Sequence, residues 1–363
     1  MGNFVPPSDG NDLAVFFLAQ GEQNGAQIAH HLADFVAGAH QSLDIAIYDL
    51  RLSEPYKSII SGALQERAAA GVQIRIAYDA DKPPAPDLAA GQDPAPSGTG
   101  AFVQALGYPW QRIGGLKLMH NKYLVRDAGT AQAQVWTGST NLTDDAFTKM
   151  ENNILEIRSP ALAAYYAHDF QDLWQKGHIE DTGAFDTMPV QLAYAQQTAR
   201  VQLLFSPGRG STIDHVVAER VAQAQRRVRI CSMLLNSGAL INALTDVLGS
   251  GRLDVRGIYD RTQMLGVWQQ WQDVPSNHWK IPAVQAIIQT AQLVGKNSTP
   301  YSPSGVHDFM HNKVLVIDDT VITGSYNFSR SAELNAENIL LIDSPALAAQ
   351  YVQYIDHLMQ KYS

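Results

Sequence analysis

MHNKYLVRDAGTAQAQVWTGSTN, from Met119 to Asn141, and MHNKVLVIDDTVITGSYN, from Met310 to Asn327, are two versions of one segment. The match continues on both sides. ENNILEIRSPALAA from Glu151 pairs with AENILLIDSPALAA from Ala336, and VQIRIAYD ending at Asp79 pairs with LDVRGIYD ending at Asp260. Matches that recur in the same order identify an internal duplication, and an internal repeat decides the architecture before any local reading does.

The elements repeat as well. Each half opens with an apolar strand, LAVFFLA from Leu13 and VQLLF from Val201. An amphipathic helix follows, with Ile28, Leu32, Phe35 and Val36 on one face in the first half. In the second it starts after Ser211 and carries Ile213, Val216, Val217 and Val221. Strands SLDIAIYD and VRICSMLL come next, then a helix and a strand ending in Tyr-Asp. Each half closes with a helix whose N-cap is Ser159 or Ser344 and whose first residue is Pro160 or Pro345; Gly177 ends the first of these. Alternating strands and helices predict an α/β fold of two tandem α-β-α lobes, each a mixed sheet flanked by helices. The lobes are expected at residues 1–185 and 186–363, with the join between Thr182 and Thr198.

Composition narrows the function. The chain has 363 residues, 45% hydrophobic and 17% charged, enough for a large core and against disorder. A net charge of −9 argues against a protein that lives by gripping a polyanion, though a basic cleft can sit in an acidic shell. The nearest basic run, Arg226 to Arg229, reads as a solvated helix end. The single cysteine, Cys231, reads as core and permits no intrachain disulfide. The opening MGNFVPPSDGND lacks both parts of an export signal, and LAVFFLA is too short to span a bilayer. A soluble monomer is expected, cytoplasmic unless a leader was removed. The Pro-rich stretch from Asp79 to Gly100 reads as a loop. Its longer counterpart, with Trp268, Trp271, Trp279 and Tyr301, serves either substrate selection or the core.

The repeated block has the makings of a site. His120 and Lys122 lie two apart in a strand and share a face, as do His311 and Lys313. Ser139 and Asn141 follow Gly138; Ser325 and Asn327 follow Gly324. Each half thus offers an imidazole for attack or proton transfer, an ammonium for phosphate oxygens, and neutral hydrogen-bonding groups. The inventory suits a phosphoryl transition state between two histidines. It does not suit a metal, which the ammonium groups would repel.

His120-x-Lys122-x4-Asp127 and His311-x-Lys313-x4-Asp318, each followed by GSxN, resemble the two HKD motifs of the phospholipase D superfamily. The resemblance covers nearly the whole chain. It implies one active site at the lobe interface, used without metal or cofactor. One histidine forms a covalent phosphohistidine; the other protonates the leaving alcohol and then activates water or an acceptor alcohol. Lys122, Lys313, Asn141 and Asn327 would hold the phosphoryl oxygens. Ser139 and Ser325 would assist or shape the turn, while Asp127 and Asp318 would fix local structure. The substrate implied is a phospholipid headgroup, with nucleic acid as the alternative and a cardiolipin synthase-like transfer behind both. In this family an acidic residue after GSxN orients each histidine. Glu337 holds that place in the second half; Asn152, with Glu151 beside it, holds it in the first. Glu337 is therefore expected to back His311, and Asn152 to face His120. His120 would then be the neutral nucleophile and His311 the acid.

Overall fold

The computed structural model of the chain describes residues 6–8, 10–79 and 98–363, so most of the Pro-rich stretch lies outside the described residues. Two mixed sheets carry the fold. The first runs, edge to edge, Leu13–Leu18, Asn152–Arg158, Gln134–Gly138, Lys122–Arg126, Ser42–Ile47, Gln73–Tyr78, Trp110–Arg112. The second runs Val190–Tyr194, Gln197–Ser206, Glu337–Asp343, Thr320–Gly324, Lys313–Ile317, Arg227–Ser232, Asp254–Asp260, Val294–Lys296. Strand for strand, the second repeats the first and adds one edge.

The added strand, Val190–Tyr194, falls where the sequence suggests only a join. It forms a hairpin with Gln197–Ser206. The turn residues Ala195 and Gln196 sit at φ 50° and 61°. Such a turn normally announces itself with Asn or Gly, and neither is present.

The closing helices, Pro160–Lys176 and Pro345–Tyr362, lie in the middle of the molecule. Tyr166, Phe170, Leu347, Tyr351 and Ile355 from these helices share one core with residues of both sheets. An outer core sits on the far face of each sheet, under the remaining helices. Ser159 and Ser344 cap the closing helices by accepting from the backbone N–H of Leu162 and Leu347. Gly177, at φ 68°, ends the first. The amphipathic helix of the second half begins slightly early, at Gly210, with no side-chain cap.

One further expectation changes, and one left open is divided. The run Arg226 to Arg229 is the start of a strand rather than a helix end, and its guanidinium groups meet Asp318, Asp319 and Asp254. The Trp-rich interval divides its aromatics: Trp271 is buried on helix Arg261–Gln272, Trp268 is half-buried, and Trp279 is exposed. Cys231 is buried in its strand. Among the described residues no helix is long and apolar enough to cross a membrane.

Candidate active site

The two copies of the repeat meet face to face. His120 donates its backbone N–H to Ala336 at 2.8 Å, and His311 donates its own to Glu151 at 3.0 Å. Each histidine, two residues ahead of its strand, therefore makes a backbone bond to the opposite half. All four of His120, Lys122, His311 and Lys313 are buried.

Crossing at the seam overturns the expected partners. Nδ1 of His120 lies 2.8 Å from Glu337, and Nδ1 of His311 lies 2.9 Å from the Asn152 amide oxygen. Glu337 supports the histidine of the first half; Asn152 supports that of the second. Duplication reveals which residues correspond, but not which copy each one faces. Glu151 does not stand in for Asn152. Its carboxylate turns away, accepting from Gln20 N–H, from the Tyr362 hydroxyl and from Lys296 at 2.5 Å.

The glycines of GSTN and GSYN are required by the neighbouring strand of their own sheet. Gly138 and Gly324 stand at φ 132° and 150°, and a Cβ there would meet the carbonyl oxygen of Asn153 or Asn338 at 2.3 Å. Ser139 follows, donating to Asn152 at 2.8 Å and accepting from Asn153 N–H. Ser325 accepts from Asn338 N–H at 3.0 Å. These serines shape the turn, and Ser139 also braces the amide that holds His311. Asn141 and Asn327 keep buried side-chain oxygens that have no hydrogen-bond partner among the described residues.

Asp127 and Asp318 sit at the far ends of the strands that carry the lysines. Both adopt left-handed backbone, φ 54° and 52°. Asp127 accepts from the N–H groups of His40, Gln41 and Ser42; Asp318 accepts from Gln225, Arg226 and Arg227. Each carboxylate fixes the start of the neighbouring strand. Burial pushes Asp318 up, but its N–H donors outweigh that and hold it low.

Electrostatically the halves form one site. Burial depresses His120 to about 4; Glu337 pulls it up, while Lys122 and Lys313 push it down. His311 lies well below its ordinary value through burial, then through Lys313, Lys122 and His120, with no carboxylate among its leading influences. Burial also takes Lys122 to about 7 and, with Lys122 close by, holds Lys313 well below its ordinary value. Both ammonium groups donate to the carbonyl of their own histidine, at 2.7 and 2.6 Å. Burial and mutual repulsion thus lower all four groups together, and an anion bound among them would offset both. Binding inorganic phosphate near neutral pH should take up protons, because the added negative charge raises Lys122 and both imidazoles. Calorimetry in buffers of differing ionisation enthalpy reads this directly; a heat independent of buffer would contradict it.

Tyr48 belongs to no motif in the sequence, yet it joins the site. Its ring packs against His120 at 4.7 Å between centroids and lies under the Lys122 ammonium at 5.1 Å. The one signal available is its place at the end of the strand SLDIAIYD, where Met233 is the counterpart. Among the described residues no three His, Cys, Asp or Glu side chains gather to hold a metal ion.

The domain family described as cardiolipin synthase, PLD-like domain, matches the chain twice, over residues 32–174 and 217–359. A protein named phospholipase D from Rickettsia bellii (strain RML369-C) is 27% identical over 158 residues, 43% of this chain and 67% of the relative. The chain spans about two thirds of that relative's length. The phosphatidylserine synthase of Haemophilus influenzae Rd KW20 superposes with a TM-score of 0.66 at 15% identity, covering 99% of this chain and 88% of that one. The polyphosphate kinase of Porphyromonas gingivalis gives 0.58 at 11% identity, covering 95% of this chain and 47% of that one. At such identities the likeness to these two structures is one of fold.

Proposed function

The chain belongs to the phospholipase D-like domain family, an enzyme family of phosphodiester chemistry, and we propose that it cleaves phospholipid headgroups through a phosphohistidine on His120. The observation that carries this is the crossed seam: two His–Lys pairs, each imidazole held through Nδ1 by a side chain of the other half. That leaves Nε2 of both rings for a substrate.

His120 is the nucleophile for a reason different from the one the sequence suggests. When its Nε2 bonds to phosphorus, the ring becomes cationic, and Glu337 is the group placed against that charge. The bound phosphodiester's negative charge raises His311, which takes up a proton from solvent at Nε2; as the P–N bond forms, the P–O bond to the leaving alcohol breaks, and His311 gives that proton to the departing oxygen. His311 ends neutral, which an amide partner favours. Its Nε2 then takes a proton from water or an acceptor alcohol, whose oxygen attacks phosphorus while His120 departs. Lys122, Lys313, Asn141 and Asn327 hold the non-bridging oxygens.

A lipid substrate fits the net charge of −9 and the engagement of the Arg226 to Arg229 run with aspartates. The decisive comparison sets phosphatidylcholine vesicles against single-stranded DNA, with EDTA present throughout. We expect choline release undiminished by EDTA, and a new phosphatidyl ester when a primary alcohol is added. Cleavage of DNA with vesicles untouched would overturn the lipid assignment.

A further inference from the structure

Behind the two histidines lie four asparagines that the mechanism does not use. Asn121 and Asn312 are the middle residues of the two His-Asn-Lys triplets; Asn153 and Asn338 follow Asn152 and Glu337. All four are fully buried. Strand alternation turns them to the face opposite the reacting side chains.

They too cross the seam. Asn338 Nδ2 donates to Asn121 Oδ1 at 2.9 Å, and Asn153 Nδ2 donates to Asn312 Oδ1 at 2.8 Å. The residue after His120 is thus bonded to the residue after Glu337, and the residue after His311 to the residue after Asn152. Every remaining amide group is matched as well. Asn121 donates to Asp169 at 3.3 Å, and Asn312 to the Tyr354 hydroxyl at 2.9 Å. Asn338 accepts from Thr137 and Tyr166, both at 3.2 Å; Asn153 accepts from Thr323 at 3.1 Å and Tyr351 at 3.2 Å. A buried amide with donors and acceptors all matched has one orientation available to it.

We infer that these asparagines are positioning residues forming two independent clasps, Asn121–Asn338 for the His120–Glu337 pair and Asn153–Asn312 for the His311–Asn152 pair. Each clasp sets the register of one histidine against its support. It does so across an interface where, among the described residues, no continuous strand ladder runs: isolated bridges, Met119 to Ala336 and Glu151 to Met310, join the sheets at these points. The clasp is therefore a second rung directly behind the functional one. A carboxylate in place of the donating amide would put oxygen against oxygen and open it.

The kinetic arm of the test rests on the proposed two-histidine reaction; the spectroscopic arm does not. Asn338→Ala and Asn153→Ala would be made, with Asn338→Asp and Asn153→Asp as same-shape alternatives should a cavity prevent folding. In histidine-labelled enzyme, the hydrogen-bonded Nδ1 protons of His120 and His311 report on each support separately. The Asn338 variants are expected to lose or shift the His120 signal and keep that of His311; the Asn153 variants should do the reverse. Turnover should fall by about 10²-fold in each, as for a reacting group displaced by about 1 Å. Asn338 variants should lose it in phosphoenzyme formation, and Asn153 variants in turnover of esters whose leaving group needs a proton. A folded variant with both signals unchanged, or with both disturbed alike, would overturn the inference. Wild-type enzyme inactive on every phosphodiester would sink the proposed function, while the Nδ1 signals would still decide for or against the clasps.

Discussion

His120→Ala should form no phosphoenzyme on any diester, whereas His311→Ala should still form one on a p-nitrophenyl ester. The two outcomes differ because the proposed reaction gives the histidines different work. Removing His120 removes the atom that bonds to phosphorus, and Lys122, Lys313 and the asparagines then have nothing to deliver. Removing His311 removes the proton that an alkyl alcohol needs in order to leave, a loss of about 10²–10⁴-fold for such substrates. A nitrophenolate departs as a stable anion and does not need that proton. His311→Ala should therefore show a burst of nitrophenol equal to the enzyme present, then stall, because activation of water is also lost. Stoichiometric release in a rapid-mixing experiment, with the label mapped to His120, is the expected result. A burst from His120→Ala, or label on His311 in the wild type, would reverse the roles.

Glu337→Gln is the second large effect. Glutamine can still accept from Nδ1 of His120, so the change removes charge more than geometry. In the proposed reaction, attack on phosphorus places positive charge on a buried ring held by this carboxylate at 2.8 Å. Loss of one preorganised charge at a developing ion costs on the order of 10²–10³-fold, and we expect phosphoenzyme formation to slow by that much. The pH dependence fixes the sign independently. Burial holds His120 near 4, and Glu337 is the group that raises it. Without that charge the ring protonates only at still lower pH, so the acid limb of kcat/KM should move down while the plateau falls. Asn152→Asp adds the missing charge on the other side. It should raise His311 and carry the alkaline limb upward. Unchanged profiles in both variants would remove the electrostatic account of the roles.

Much of this is legible from the repeated segment. Duplication yields two lobes, the succession of strands and helices along the chain, the capped closing helices and the inventory of His, Lys, Asn and Ser. What the repeat cannot carry is the relation between copies. Reading Glu337 against His311 follows from their being neighbours in one half, yet the seam is built by exchange, and neighbours in sequence end on opposite sides. Asn121 and Asn338 are visible as identities within the repeat, but an unchanged polar residue on the back of a strand has no meaning until the second lobe is set behind it. The hairpin at Ala195 and Gln196 is hidden by non-glycine residues in left-handed backbone.

The exchange of supports bears on how the two halves of such a chain came to differ. Two identical halves meeting about a twofold axis must treat their histidines identically: both would rest on glutamate, or both on asparagine. A difference between them cannot be inherited by a symmetric pair, because any change in one support appears at once in the other. Joining the halves in one polypeptide releases that constraint, and position 152 can drift from acid to amide while position 337 does not. The covalent link between the lobes is then more than a tether. It is the condition under which the two imidazoles could come to rest on different supports, a carboxylate for one and an amide for the other.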